Sequence, residues 1–397
     1  MANILFWTAL FIVAYTYIGY ALVIWVLATL KQSFRKSAKT QEPPPKTWPE
    51  ICLFVTAYNE ADMVDLKVQN SLKLNYPKEK IQYLWLTDGS NDGTKEQLKN
   101  YPEIQVEHLP ERRGKIHAMN RGMQFVKAPF VIFSDSNTLL NQEAIRKIVR
   151  AFQDPQVGCV AGEKRICEKE QDNAAASGEG FYWKLESFIK QMDARFNSTV
   201  GAAGELFAIR TSLYHKLPND TLLDDFMISI RIAAQGYKVA YTSEAYALET
   251  ASASVKEELK RKTRIAAGGI QSLFRFPQLL NPFRFGWLSF QYFSHKVLRW
   301  TIAPFALFLL FFINFLILSE SPYNSGINFY VLFFCTQAIL YLLALVGFLL
   351  ENRRIHHKAL FIPYYFVAMN LASILGIIRY FRGRQSPLWE KAKRSKV

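Results

Sequence analysis

Long apolar segments at both ends of the chain constrain its architecture more than any other feature of the sequence. No charged residue occurs from Ile4 to Leu30, and a helix of that length crosses the roughly 30 Å hydrocarbon core of a bilayer. Further apolar runs occupy 301–318, 329–350 and 360–378, whereas residues 49–280 have ordinary globular composition. Because the first run lacks a basic leading region and a small-residue cleavage site, we expect a retained anchor and not a removable signal.

The chain therefore divides into six predicted segments. They are an anchor at 1–31, a basic, proline-rich linker at 32–48, a globular domain at 49–280, an amphipathic stretch at 281–300, membrane segments at 301–380 and a basic tail at 381–397. The amphipathic stretch mixes aromatic residues with Arg284, Lys296 and Arg299. It fits either an interfacial helix that lays the globular domain on the membrane or a buried core helix.

Basic residues predict the side of the membrane that the globular domain occupies. The segment KQSFRKSAK follows the first apolar run, and ENRRIHHK follows Leu350. Loops rich in Lys and Arg remain on the cytoplasmic side, so we expect a multi-pass protein of the cell (inner) membrane with a cytoplasmic globular domain. The run at 360–378, which contains Pro363, Asn370 and Ser373, either crosses fully, which places the basic tail outside, or re-enters the membrane.

The net charge of +15, from 48 Lys and Arg against 33 Asp and Glu, is explained by solvated loops near anionic lipid. Nucleic-acid binding is not predicted, because the globular domain has no stripe of interleaved basic and aromatic residues. The four cysteines and six histidines show no paired metal-ligand spacing. Neither a zinc site nor a cysteine nucleophile is therefore expected.

Apolar runs alternate with helical patterns in the globular domain. Four of these runs read EICLFVTAYNE, IQYLWLT, IQVEHL and FVIFSD. The alternation predicts an α/β fold with a parallel, helix-covered sheet. Ligands of such sheets bind at the carboxyl ends of the strands, where Asn59, Asp88 and Asp135 all fall.

Asp135 and Asn137 stand two residues apart after the fourth run. In an extended segment their side chains would point to the same side, where carboxylate and amide oxygens suit a hard cation. The same residue types are also typical of a polar turn. Three polar sites at successive strand ends favour a shared binding site over unrelated turns.

Seven motifs in the globular domain resemble one enzyme family. They are VTAYNE, LTDGSNDGT, GKIHAMNRG, FSDSN, GAAGELFAIR, LLDDFMISIRIAAQGYKVAY and RKTRIAAGGIQ. In this order, with flanking membrane segments, they resemble the membrane-bound inverting glycosyltransferases of family 2, the group that contains cellulose, hyaluronan and poly-N-acetylglucosamine synthases. The resemblance implies a GT-A (Rossmann-like) catalytic domain, a nucleotide diphosphate sugar donor that is usually a UDP-sugar, and a lipid-linked or growing glycan as acceptor.

The resemblance also implies a role for individual residues. Asp225 matches the general base and Asp224 the acidic residue before it, Arg264 stabilises the departing diphosphate, and Asp135 with Asn137 holds Mg²⁺ or Mn²⁺. The family commonly has a second Asp where this chain has Asn137. The nucleotide pocket is assigned to Tyr58, Glu60, Asp88, Lys115, Asp135 and Arg264, and the acceptor side to Ala203, Gly204, Glu205 and Gln271.

Structural alternatives exist for several of these residues. Asp92 is interpreted as a helix cap in preference to a ligand contact. Lys115 and Asn120 fit either the pocket or a plain surface helix, with the pocket favoured. Two acidic residues such as Asp224 and Asp225 also suit the dipole at a helix start.

Two departures from the family pattern bear on whether the product is a polymer or a single added sugar. Polymer-forming members usually have Gln and Trp at the positions of Arg261 and Ile265. A single addition to a lipid-linked or otherwise small acceptor is therefore as consistent with the sequence as polymer synthesis. A rival hypothesis is a catalytically silent membrane scaffold that retains the nucleotide-binding fold.

Overall fold

The computed structural model describes residues 1–34, 45, 47–167, 174–250, 255–320, 328–352, 358–386 and 388 of the 397. Most of the predicted linker and basic tail, and most of the basic segment after Leu350, lie outside the described residues.

An eight-stranded mixed sheet forms the centre of the globular domain. Its strands lie in the order β3-β2-β1-β4-β7-β6-β8-β5. In chain order they are β1 Ile51–Ala57, β2 Ile81–Asp88, β3 Ile104–Leu109, β4 Phe130–Asp135, β5 Leu139–Leu140, β6 Val157–Ile166, β7 Leu206–Arg210 and β8 Lys238–Glu249. The four apolar runs recognised in the sequence are β1 to β4, and they pair in parallel as expected.

The expectation of a wholly parallel sheet is wrong. Strand β7 pairs antiparallel to both β4 and β6, and β5 pairs antiparallel to β8. The sheet is therefore parallel on the β3-β2-β1-β4 side and mixed beyond it. The antiparallel β7 brings the segment before it, 201–205, beside the end of β4.

Helices cover both faces of the sheet. Those of the globular domain are α3 Ala61–Leu72, α4 Thr94–Leu98, α5 Lys115–Gly122, α6 Ala144–Ala151, α7 Ala174–Phe196, α8 Asp224–Ala234 and α9 Val255–Arg275. Alternate residues of β1 enter different cores, with Phe54 in one and Leu53 in the other. Because both faces are buried, the strands have nearly continuous apolar sequences and not an alternating pattern.

Four helices are long and apolar enough to cross a membrane among the residues described. They are Ala2–Phe34, Ile302–Glu320, Phe329–Leu350 and Leu360–Phe381. The first comprises α1 (Ala2–Ala14), a π-helical turn and α2 (Tyr20–Phe34), and the others lie within α13 (Ile302–Glu320), α14 (Phe329–Asn352) and α15 (Lys358–Phe381). Helix α15 continues through Pro363, and its length permits a full crossing.

The stretch predicted as one interfacial helix contains a short helix, α10 Pro282–Phe285, and then an unbroken helix in which a π-helical segment, Phe293–Val297, joins α11 Trp287–Tyr292 to α12 Leu298–Trp300. Phe283 is 99% exposed, whereas Lys296 is 8% exposed and the side chain of Arg299 is 14% exposed. Lys296 and Arg299 lie 2.5 and 2.9 Å from the carboxylate of Glu186 on α7. Two of the three basic residues therefore pair with an internal acid and do not form a lipid-facing surface.

A buried polar network attaches the first membrane helix to the globular domain. The hydroxyl of Tyr20 donates to Asp193 Oδ1 at 2.5 Å, and His295 Nδ1 lies 2.7 Å from Asp193 Oδ2. The other ring nitrogen of His295 lies 3.3 Å from Glu186. Buried polar groups are costly without partners, so this network fixes how the helices meet.

Helix α15 packs closely along α9 through Gly376. A Cβ atom at Gly376 would lie 2.5 Å from Ala266 Cβ and 2.6 Å from the carbonyl oxygen of Thr263. The same addition at Gly19 would meet its nearest neighbour at 3.4 Å, an ordinary contact.

We expect Gly376→Ala to lower the stability of the protein by about 1–3 kcal/mol through overpacking of the α9–α15 contact. Gly19→Ala is the matched control, and its higher helix propensity should leave stability unchanged or raise it by up to about 1 kcal/mol. Thermal unfolding of both variants in the same detergent, followed by tryptophan fluorescence, measures the difference. Equal melting temperatures would contradict this packing.

Candidate functional site

A lysine joins two acidic residues from separate elements at the carboxyl edge of the sheet. Lys115 begins α5, Asp135 ends β4 and Asp224 begins α8. The ammonium nitrogen of Lys115 lies 2.9 Å from Asp135 Oδ1 and 3.0 Å from Asp224 Oδ2. The three side chains are only 12–20% exposed, so the ion pairs are poorly screened by water.

Gly204 shows that Asp225 faces the same space. A Cβ atom at Gly204 would lie 3.5 Å from Asp225 Oδ2, 3.7 Å from Lys115 Nζ and 3.8 Å from Asp135 Oδ2. A larger residue would therefore fill the volume between these groups. The segment before β7 thus forms a wall whose small residue leaves room for a ligand.

Burial tunes the protonation of this cluster. Burial and the neighbouring carboxylate of Asp224 together raise the pKa of Asp225 to about 7. Burial also raises the pKa of Asp135, although Lys115 opposes this effect. For Lys115, burial alone would lower the pKa, but Asp135 and Asp224 outweigh it and raise the pKa above its ordinary value. Asp225 therefore gains and loses its proton near neutral pH while Lys115 stays charged.

A cavity of about 210 Å³ contains the cluster and receives basic side chains from α9 and the segment after α11. Arg261, Lys262 and Arg264 of α9 line it, together with Lys296 and Arg299. A guanidinium nitrogen of Arg264 lies 3.4 Å from the carbonyl oxygen of Leu222, just before Asp224. Cations close to carboxylates in one cavity suit a ligand that carries phosphate groups and a metal ion.

Asp88 holds the loop that leads to Lys115. Its carboxylate accepts the backbone N–H groups of Arg113 at 3.0 Å and Gly114 at 2.6 Å. Tyr58 lies nearby, with the guanidinium carbon of Arg112 3.9 Å from its ring centroid. Tyr58, Asp88 and Lys115 line one small pocket, so the structure brings these three predicted nucleotide-binding residues together.

Glu60 directly precedes α3, and Asp92 lies in the loop before α4, from which its side chain reaches the start of α3. Glu60 is 1% exposed, and its backbone N–H donates to Thr94 Oγ1 at 2.9 Å. Asp92 accepts the N–H of Ala61, the first residue of α3, at 3.0 Å and that of Thr94 at 3.1 Å. Asp92 thus has the capping geometry expected from the sequence, whereas Glu60 does not line the small pocket beside Tyr58.

Of the two alternatives for Asp135 and Asn137, the structure has the turn, because β4 ends at Asp135 and Asn137 lies in the turn after it. The buried Oδ1 atom of Asn137 has no hydrogen-bond partner in the described part of the chain. Buried Lys67 donates to Ser134 Oγ at 2.6 Å and to the Thr138 carbonyl at 2.7 Å, which fixes this turn.

The residues present fit a divalent cation that takes most of its ligands from elsewhere. Over the described residues, no three His, Cys, Asp or Glu side chains form a ready metal cluster. Mg²⁺ in nucleotide sites is usually held by one or two protein groups plus phosphate oxygens and water. Asp135, which lines the cavity, can supply one carboxylate ligand, whereas Asn137 is not among the residues that line it and its unpartnered Oδ1 atom lies in the turn after β4.

Two sequence expectations fail because the side chains are engaged elsewhere. Asn120 bonds Tyr214 and Leu217 and does not line the cavity. Gln271, predicted on the acceptor side, accepts the N–H of Leu222 at 2.9 Å and donates to the Asp220 carbonyl at 2.8 Å. Gln271 therefore braces the loop before Asp224 instead of facing an acceptor.

Ala203, Gly204 and Glu205 do line the cavity. Burial alone would raise the pKa of Glu205, but Lys164 and Arg261 outweigh it and lower the pKa. Lys164 Nζ lies 2.9 Å from Glu205 Oε1 and also pairs with Glu249. Glu205 therefore forms an ion pair with the buried side chain of Lys164, whereas the sequence predicted only that it lies on the acceptor side.

The sequence did not predict the cavity residues Trp183, Glu249 and Trp300, nor Lys164, which pairs with Glu205 and Glu249 of the cavity lining. Trp300 packs edge-on against Phe226 with ring centroids 5.1 Å apart and covers Gly269. The only sequence signal for Trp300 was its place at the end of an aromatic and basic stretch. Trp300 therefore places an indole at the cavity, although this chain has Ile265 at the position where polymer-forming members of the family usually have Trp.

Comparison with known proteins places these features in a family. The family model described as "Glycosyltransferase like family 2" matches residues 49–268, more than half of the chain. Poly-beta-1,6-N-acetyl-D-glucosamine synthase from Staphylococcus aureus (strain MSSA476) is 27% identical over 237 residues, which cover 57% of this chain and 56% of that protein. The homologous synthase from Staphylococcus epidermidis is 25% identical over the same length. The chain thus spans about half the length of these curated relatives.

One solved structure resembles the whole chain. A mannosyltransferase from Pyrobaculum calidifontis, solved with GDP-Man and Mn²⁺, matches 96% of this chain and 100% of its own with a TM-score of 0.70. The sequence identity is 20%, so this likeness supports the fold alone. It agrees with the GT-A class expected from the motifs.

We expect Lys115→Met to lower the stability of the protein by at least about 2 kcal/mol at neutral pH, because breaking a buried ion pair costs about 3–5 kcal/mol and this one is partly hydrated. Lys147→Met is the control. Lys147 pairs at 2.7 Å with Glu244, whose side chain is 65% exposed, and such pairs contribute about 0–1 kcal/mol. Thermal unfolding in one buffer compares the two variants. A Lys147→Met loss as large as that of Lys115→Met would contradict the bridging role of Lys115.

Proposed function

Since the chain belongs to glycosyltransferase family 2, we propose that it is a membrane-embedded inverting glycosyltransferase that uses a nucleotide diphosphate sugar, and that Asp225 is its general base. The observation that carries the proposal is the meeting of Asp225, Asp135 and Lys115 around the space beside Gly204. These groups come from three separate elements. They supply a base, an oxygen ligand and a cation within one cavity.

Asp225 is suited to receive a proton from an acceptor hydroxyl. Its pKa of about 7 gives a carboxylate that is basic enough to take a proton and still largely ionised just above neutral pH. In the proposed step the hydroxyl oxygen bonds to the anomeric carbon as the bond from that carbon to the phosphate oxygen breaks. The proton passes to Asp225, the electron pair leaves with the diphosphate, and attack from the opposite face inverts the carbon.

Lys115 and Arg264 would stabilise the departing diphosphate. Lys115 is held charged by Asp135 and Asp224, and Arg264 lines the same cavity from α9. Fixed cations at the position where negative charge develops lower the barrier without reorganisation. The donor proposed is a UDP-sugar that enters beside Tyr58 and Asp88, in keeping with the family and with the N-acetylglucosamine polymer named for the curated relatives.

A divalent cation, Mg²⁺ or Mn²⁺, is proposed at Asp135 and Asn137. When bound, it would neutralise charge on the diphosphate. Asn137 ligates through a neutral oxygen, so Asp135 would contribute the larger share of the affinity. The Mn²⁺ in the structure of the Pyrobaculum calidifontis mannosyltransferase agrees with this proposal.

The proposed setting is the cell (inner) membrane, with the globular domain on the cytoplasmic side where nucleotide sugars are made. Four helices of sufficient length and the basic segments that follow the first and third of them support this orientation. The acceptor would be a glycan or a lipid-linked molecule at the membrane surface.

Release of nucleotide diphosphate should disappear in Asp225→Asn while nucleotide binding persists, because the amide cannot accept the proton.

In the unaltered protein the rate of nucleotide diphosphate release should rise with pH through about 7, as the protonated Asp225 becomes a carboxylate. Asp224→Asn should move this midpoint to lower pH, since the negative charge that raises the pKa is removed. Asp65→Asn, an exposed change at the Tyr101 hydrogen bond, serves as control.

Nucleotide release by purified protein, assayed with a panel of UDP-sugars and acceptors, provides these data. Turnover retained in Asp225→Asn would overturn the assignment of the base. No turnover with any donor would instead favour the silent scaffold.

Asp135→Asn should weaken Mn²⁺ binding by at least about tenfold, whereas Asn137→Ala should weaken it less, because a charged ligand is lost only in the first variant. Electron paramagnetic resonance of Mn²⁺, titrated in the presence of UDP, measures this affinity without turnover. Equal effects of the two substitutions would contradict the unequal roles assigned to the two ligands.

A further inference from the structure

A second, larger cavity adjoins the catalytic one, and we propose that it binds the hydrocarbon chain of a lipid acceptor with an anionic head group. This proposal rests on the proposed function and names its acceptor class. The cavity, called here the apolar chamber, measures about 780 Å³, within the range of about 300–1,000 Å³ typical of ligand pockets. Its walls come from the π-helical turn and α2 of the first candidate membrane helix and from α7, α9, α12, α14 and α15.

The chamber borders the catalytic cavity. Five side chains line both cavities: Tyr182, Lys262, Ile265, Arg299 and Trp300. The proposed acceptor would lie across this shared boundary, with its hydrocarbon chain in the chamber and its hydroxyl group at the carboxylates. Ile265 is the residue that replaces the Trp of polymer-forming relatives, and an indole at this position would enlarge the side chain at this boundary.

The far side of the chamber faces the bilayer. Its lining includes three exposed residues of the first membrane helix, Ile18, Leu22 and Trp25, which are 65%, 58% and 48% exposed. Ile362 of α15 is 52% exposed and also lines it. Apolar side chains exposed at a membrane helix contact lipid tails, so a hydrocarbon chain can enter sideways without passing through water.

The polar side chains Tyr17, Asn370 and Ser373, which line the chamber, form hydrogen bonds with other groups of the protein. Tyr17 donates its hydroxyl hydrogen to Asn370 Oδ1, and Asn370 Nδ2 donates to the Phe366 carbonyl at 2.8 Å. Ser373 Oγ donates to the Met369 carbonyl at 3.2 Å. A glycan needs partners for many hydroxyl groups, and leaving them unpaired is costly. A hydrocarbon chain needs none, so this lining favours lipid over a growing polysaccharide.

Two cations at the shared boundary suit an anionic head group. The ammonium of Lys262 lies 3.7 Å from the ring centroid of Tyr182 and 3.7 Å from Glu258 Oε1, and Arg299 pairs with Glu186 at 2.9 Å. Both side chains line both cavities. Charge-assisted hydrogen bonds from such groups suit phosphate oxygens. The acceptor hydroxyl would project past this phosphate to Asp225, where the displacement already described transfers the sugar to its oxygen and the proton to the carboxylate.

Photolabelling tests the occupant directly. The full-length protein in phosphatidylcholine nanodiscs is exposed to hexadecyl phosphate that carries a diazirine in mid-chain, and labelled peptides are identified by mass spectrometry. We expect saturable labelling of chamber residues on α7, α9 or α15. Unlabelled hexadecyl phosphate should compete at least fivefold better than hexadecanol, and Lys262→Gln should reduce that preference.

Two substitutions of the same kind serve as test and control. Ser373→Phe fills the chamber and should reduce labelling at least fivefold, whereas Thr336→Phe, on the exposed surface of α14, should leave both labelling and turnover unchanged. Ile265→Trp should reduce sugar transfer to extracted membrane lipids more than it reduces labelling, because position 265 lies where the chamber borders the catalytic cavity.

Three outcomes overturn the proposal. They are labelling spread evenly over the lipid-facing helices, as for bulk lipid; equal competition by phosphate and alcohol; and displacement of the probe by a soluble oligosaccharide, which would identify a glycan channel. Nucleotide release to a water-soluble acceptor is measured on the same unaltered protein. If that release occurs while the chamber stays unlabelled, the acceptor proposal fails and the glycosyltransferase proposal stands.

Discussion

The ion bridge from Lys115 to Asp135 and Asp224 is the constraint on which the catalytic cavity depends. Two acidic groups from β4 and α8, with Asp225 facing the same space, would repel one another at this low exposure without a cation between them. Lys115 is itself held in place by Asp88, which binds the loop before α5. Asp88, at the end of β2, thus positions Lys115. Lys115 in turn permits Asp135 and Asp224 to lie together near Asp225.

The membrane helices and this cavity are parts of one arrangement. Helix α9 lines the catalytic cavity on one face and packs against α15 on the other, through Gly376 and Ala266. The network of Tyr20, Asp193 and His295 holds the first membrane helix to α7. Because α9 contributes to the catalytic cavity and also packs against a candidate membrane helix, the proposed lipid acceptor would reach the carboxylates without leaving the bilayer surface.

Much of this organisation was predictable because it depends on local patterns. Strands β2 and β4 end in Asp88 and Asp135, and Asn59 lies two residues after β1. Parallel pairing of these strands brings their ends together whatever the loops do. The predicted roles that the structure contradicts depend on tertiary contacts, which local patterns do not show. Gln271 and Asn120 match a motif or lie within one, yet each bonds a loop far away in sequence. The burial of Lys67 has a local signal, since its spacing of three residues from Val64 puts it on the buried face of α3.

A structure determined by cryo-electron microscopy with Mn²⁺ and a non-hydrolysable UDP-sugar would test the central claim most directly. The account predicts the diphosphate within hydrogen-bonding distance of Lys115, the ion on Asp135, and the anomeric carbon facing the space between Gly204 and Asp225. A nucleotide bound away from Lys115, or a sugar separated from Asp225 by the segment before β7, would contradict it.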